Sequence, residues 1–205
     1  RATRRDRRRS GGPRVIPAHP HRVAFEQGAE RRRAALWAVV QRALFATSFH
    51  NAYRWRNFLL RWFGATIDRT VRVRPSCRID RPWHLSMARK SALGDGVVIY
   101  AGAPVTIGER SVISQYTVIA AARGAPGAAP APAPVSIGDD CWIAAESFVP
   151  GGATVPDGVV VGARSVLPGD DSLGSWTIVS GDPARSRRER AYQGRGTAGE
   201  PEGSR

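Results

Sequence analysis

Lysine is nearly absent from this chain. Of its 31 basic residues only Lys90 is a lysine, so a formal charge of +14 rests on arginine. Cysteine is as scarce: Cys77 and Cys141 have no metal or redox spacing, and a reduced, cytoplasmic setting fits them. There are four histidines and none beyond His84, while His19 and His21 flank Pro20 without the further ligands that zinc needs. No apolar run approaches the ~18–20 residues that span a bilayer. The arginine-rich opening lacks the hydrophobic core of a secretion signal. The chain begins with Arg1 rather than Met, so part of the natural N-terminus is expected to be missing.

What the sequence does contain is a period of six. From Ile137 the aliphatic positions are Ile143, Val149, Val155, Val161 and Leu167. Four places after each of the first five come Cys141, Ser147, Ala153, Val159 and Ser165, all small or slim. Glycine, alanine or proline follows each aliphatic residue, as a tight corner requires. Neither a helix (period 3.6) nor a simple strand (period 2) repeats at six. A short strand plus one corner does, and three such units close a triangular coil of roughly eighteen residues. The fold class is therefore mainly β, a parallel β-helix. The same phase runs through Ile67, Val73, Ile79 and Leu85, slips by two to Met87, and slips by two again from Val105 to Ile107.

Residues 1–33 read as a basic, disordered arm. No aromatic residue interleaves Arg1 to Arg9, which argues against a base-stacking site and makes nucleic acid an unexpected partner. Residues 34–66 read as a short N-terminal helical cap. Leu36, Val39, Val40, Ala43 and Leu44 suit one face of a helix, and a basic, Trp-bearing segment from Tyr53 to Phe63 follows. That second segment fits a cap over the open end of the coils, with peripheral contact to a membrane surface as the other reading. Residues 67–185 form the β-helix, broken by a Pro/Ala-rich loop at 123–134; residues 186–205 are a polar, disordered tail. Ile119 to Ile137 is eighteen residues, one coil's worth, so the phase is expected to survive the loop.

Particular motifs resemble the hexapeptide-repeat acyltransferases, in the branch of the colanic acid and exopolysaccharide acetyltransferases. They are Trp55-Arg56-Asn57-Phe58-Leu59-Leu60-Arg61-Trp62-Phe63-Gly64-Ala65, Ala103-Pro104-Val105-Thr106-Ile107-Gly108, Ile113-Ser114-Gln115, Cys141-Trp142-Ile143-Ala144-Ala145 and Gly181-Asp182-Pro183-Ala184-Arg185. The resemblance implies a left-handed β-helix and a homotrimer binding acetyl-CoA between neighbouring β-helices. An acceptor hydroxyl of a sugar or glycan, in surface polysaccharide synthesis, attacks the thioester while a histidine acts as general base. By matching positions Ala145 and Ala163 would contact the coenzyme through backbone, Pro168 and Gly169 would lie where the family closes over it, and Arg185 would lie near its phosphates. No metal is implied.

The sequence departs from that pattern at one place in particular. The family's catalytic histidine falls at Gly124, between Arg123 and Ala125. Ala101 stands where an Asn or Asp helps to hold the acceptor, and Pro168-Gly169 replaces a Thr-Lys pair. Transfer is therefore expected to be slow, and the alternative is a non-catalytic β-helix trimer serving as a binding or assembly component. His84 counts as two coils below position 124, too far for direct proton transfer. Glu146 beside the coenzyme corner is a second candidate base, expected instead to face solvent. The zinc hydratases on this fold need three histidines, which the coils lack.

Overall fold

Aliphatic side chains six apart share one interior only if the backbone turns a corner between them. The computed structural model, which describes residues 20–124 and 131–191 and side chains from residue 28 onward, has that arrangement. It is a left-handed parallel β-helix of about 5 turns with helices at its N-terminal end. The first wall holds Thr66–Ile67, Leu85–Met87, Val105–Ile107, Val135–Ile137 and Thr154–Val155. The second holds Arg72–Val73, Ala92–Leu93, Val112–Ile113, Trp142–Ile143 and Val160–Val161. The third holds Arg78–Ile79, Val98–Tyr100, Val118–Ala120 and Phe148–Pro150. Ile79, Ile99, Ile107, Ile113, Ile119 and Ile143 are fully buried, each burial stabilising by about 1.5–3 kcal/mol.

The two slips are real and lie in the first wall, where Leu85 and Met87 both point inward, as do Val105 and Ile107. The phase across the loop is otherwise than counted. Ile137 stacks on Ile107, and Ile119 stacks on Val149, so the coil between them is 30 residues long. The eighteen residues from Ile119 to Ile137 are thus a corner plus an excursion and not one full turn. The excursion is a hairpin: Ala122–Arg123 pairs antiparallel with Ala131–Pro132, and Ala133 N–H donates to Ala121 C=O at 3.2 Å across its base.

The slim positions face corner carbonyls that the strand ladders leave out. Ser111 Oγ donates to Gly138 C=O at 2.6 Å, Ser147 Oγ to Ala144 C=O at 2.8 Å, and Cys141 Sγ to Pro156 C=O at 3.1 Å. A buried donor with an acceptor in reach satisfies both groups. The thiols are held protonated by burial, which pushes Cys77 up to about 12 and Cys141 up to about 11. Thiolate is the reactive form. At pH 8 the native protein should therefore give no thiol count with an aromatic disulfide reagent, and two thiols once unfolded; rapid native labelling would contradict this packing.

Strand N–H groups donate toward the next coil, as in Arg72 N–H to Ser91 C=O, so the first coil's carbonyls face the N-terminal end with no coil beneath. Helix α1 (Pro20–Val40), a π-helical turn (Gln41–Phe45) and helix α2 (Tyr53–Trp62) close that end. Arg56 Nε donates to Val73 C=O at 2.7 Å, Asn57 Nδ2 to Val71 C=O at 2.8 Å, and Trp37 Nε1 to Ile79 C=O at 2.5 Å. The first helix begins at Pro20, inside the segment read as an arm. Its inward residue is Trp37, which meets Phe45 of the following turn edge-on, while Leu36, Val39 and Leu44 are exposed, opposite to the face expected. At the other end Thr177–Gly181 accepts N–H groups of the last coil, from Gly162 and Val166, and pairs antiparallel with Ala184–Glu189, so a strand runs beyond position 185. The opening arginine cluster, Arg1 to Arg9, and residues 192–205 of the tail lie outside the described residues.

Candidate functional site

Two edges of the third wall carry the residues that the sequence singles out. On the edge it shares with the second wall, Ala163 lies one coil above Ala145, and Arg164 N–H donates to Ala145 C=O at 2.9 Å. The next residues, Glu146 and Arg164, both adopt φ 58°, the left-handed corner conformation. Their side chains pair at 3.0 Å in solvent, so Glu146 is committed to an exposed ion pair. Ala163 is exposed and Ala145 half-buried.

The other edge, shared with the first wall, carries Ala101, the hairpin, Gly151, Gly152, Pro168 and Gly169. The strand Phe148–Pro150 separates the two edges by roughly 10 Å at strand rise. A Cβ on Gly151 would stand 2.6 Å from Ala122 O, so only glycine lets the foot of the hairpin lie on the next coil. Gly152 has φ +86°. Arg123 extends from the hairpin over this edge: a Cβ built on Gly169 would meet its Nη2 at 3.2 Å, and one on Gly152 its Nη1 at 3.5 Å. The hydroxyl of Ser172, and then its N–H at 3.1 Å, hold the Asp170 carboxyl below the usual range, with a smaller contribution from Arg123.

Gly124 is exposed at the outer end of the hairpin arm. His84 does not sit beneath it. Leu85 stacks on Val105 and Val105 on Val135, so position 84 lies two coils below Pro134, and the hairpin hangs outside that column. The imidazole is half-buried with Nδ1 2.7 Å from Ala101 C=O. Ala101 itself is fully buried, and its N–H donates to Asp80 Oδ1 at 2.6 Å. Pro168 and Arg185 line one cavity of about 390 Å³ with Ser172, Leu173, Pro183 and Ser186. The structure thus joins Pro168 to Arg185 and Arg123 to Gly169, while Ala145 and Ala163 stand across the third wall. Sequence reasoning missed Arg123, although it is the one charged residue between Arg110 and Asp139. Among the described residues no group of three or more His, Cys, Asp or Glu is arranged to hold a metal.

A β-helix with an inserted hairpin beside a glycine-lined edge defines the class, and comparison with known proteins agrees. The chain is 40% identical over 167 residues to WcaF of Escherichia coli K12, whose name assigns it to colanic acid biosynthesis as an acetyltransferase; the match covers 80% of this chain and 91% of that one. The hexapeptide-repeat acetyltransferase VCA0836 of Vibrio cholerae superposes with a TM-score of 0.69 at 26% identity, over 80% of this chain and 92% of that one. Its acetyl-CoA complex, from the O1 biovar eltor, superposes with a TM-score of 0.59 at 23% identity, over 81% and 90% of the two chains. No family model matches. The chain belongs to the hexapeptide-repeat acetyltransferases and is by that membership an acyltransferase.

Proposed function

We propose that the protein is an acetyl-CoA-dependent O-acetyltransferase acting on a sugar hydroxyl in surface polysaccharide synthesis, and that it works as a homotrimer. The observation that carries this is the 40% identity to WcaF over 80% of this chain and 91% of that one; VCA0836 holding acetyl-CoA supports the choice of donor. In this reading the coenzyme lies along the third wall in a cleft completed by a neighbouring copy. Backbone at Ala145 and Ala163 holds the pantetheine, Pro168 and Gly169 line its path, and Arg185 meets its phosphates, where a guanidinium gives charge-assisted hydrogen bonds. The acceptor oxygen bonds to the acetyl carbon, the C–S bond breaks, and the coenzyme leaves as thiolate. With glycine at 124 the hydroxyl proton passes to water, so proximity supplies most of the rate.

Calorimetry tests the donor. Acetyl-CoA is expected to bind, and Arg185→Ala to weaken it about tenfold or more, while thiol release with sugar acceptors stays slow. No coenzyme binding at all would remove the transferase reading. It would favour a β-helix that binds or assembles without turnover, the reading that the glycine at position 124 supports.

A further inference from the structure

Helix α2 has two unlike faces. One is spent on the first coil, through buried Arg56, Asn57, Leu59 and Leu60. On the side away from it, Trp55, Phe58 and Trp62 recur at i, i+3 and i+7 and form one ledge, with ring centroids 5.9 and 5.8 Å apart. They are 42%, 50% and 73% exposed. Arg54, Arg61 and Arg69 line a broad recess of about 930 Å³ with Phe58 and Trp62. The helix contains no acidic residue. Among the described residues none of these three arginines forms an ion pair, and nearby Asp68 is engaged by the hydroxyl and N–H of Thr70 at 2.6 and 2.8 Å.

We propose that this aromatic ledge docks the protein on an anionic lipid surface. Tryptophan rings favour the headgroup level of a bilayer, and guanidinium groups pair with lipid phosphates. Charge decides against the other occupants. A second copy placed face to face would set arginine against arginine. The segment before the first helix, with Arg1 to Arg9, carries the same sign. An acidic surface that also accepts aromatic rings satisfies both halves of the ledge. The docking is independent of acetyl transfer and would hold for a chain that transfers nothing.

The test is sedimentation of the full chain with phosphatidylcholine vesicles, with and without phosphatidylglycerol. The arginine-rich N-terminal segment can bind anionic vesicles by charge alone, so the decisive measurement is at about 0.5 M salt, where the Debye length falls to about 4 Å. Partition onto the anionic vesicles is expected to persist there, and F58S/W62S to lower it about tenfold or more. At low salt R54Q/R61Q should lower partition about tenfold or more and flatten the salt dependence. Trp62→Ser alone, at the most exposed of the three rings, repeats the test if the pair disturbs folding. The proposal fails if F58S/W62S sediments like its parent at high salt, or if the parent binds neither vesicle. It also fails if the substitutions change the oligomeric state in velocity sedimentation while leaving vesicle binding intact, which would assign the ledge to a second copy.

Discussion

Gly124→His is expected to raise the turnover of acetyl transfer to a sugar acceptor by about 10²-fold or more, with the affinity for acetyl-CoA unchanged. A positioned general base contributes about 10²–10⁴-fold, and in the function proposed above its place falls at Gly124. His84 is turned to Ala101 C=O two coils below Pro134, and Glu146 is paired with Arg164. Position 124 follows Arg123, whose guanidinium already reaches the Gly152 and Gly169 edge, so the arm starts beside the third wall. The pH profile separates catalysis from repacking: an imidazole base makes turnover fall as pH drops below about 6.5, whereas the parent should show no such inflection. Gly124→Gln is the control, polar but unable to take the proton, and should give no gain. If the histidine variant also gives none, the base position does not lie on this hairpin.

Arg56→Met should be the most destabilising single change in the N-terminal cap, lowering stability by about 3–5 kcal/mol. The guanidinium is fully buried and, among the described residues, pairs with no carboxylate; it makes four hydrogen bonds, to Val73 C=O, Ser48 Oγ, Phe49 C=O and His50 C=O, at 2.7–2.8 Å. Methionine fills similar volume but donates nothing, so all four bonds are lost and the buried Val73 C=O is left dry and unpaired. In a domain of this size the melting point should fall by roughly 6–20 °C. Arg56→Lys keeps the charge without the fork and should lie between the two. A methionine variant melting within about 2 °C of the parent would mean that water, not Arg56, satisfies the edge of the first coil.

Much of the solenoid is legible because its physics is local and repeated. One side chain in six must be aliphatic, a neighbour must be slim, and a corner must follow, so Ile137 to Leu167 declares itself. The slips at Leu85 and Val105 are legible for the same reason. The coil length across the hairpin is not, since ten extra residues and a full turn can leave an identical count between Ile119 and Ile137. Periodicity points to the wrong face of the first helical segment because burial of Trp37 and Phe45 outweighs that of Leu36, Val39 and Leu44, which stay exposed. Arg56 is one arginine among many, and its role depends on carbonyls orphaned by a long-range stack. In the candidate site, Pro168 and Arg185 line one cavity, which no spacing in the sequence announces, and Arg123 becomes visible only when the hairpin is seen folded down on glycine.

The hairpin leaves and rejoins the coil at Ala121 and Ala133, which are bonded to each other. Everything between them is therefore a detour hung on a closed clasp, and the strands above and below keep their pairing whatever its length. Doubling such a detour costs only about 0.6 kcal/mol in closure entropy. Loops of quite different length and chemistry can be exchanged there like tool heads on one handle, with the prism unaltered.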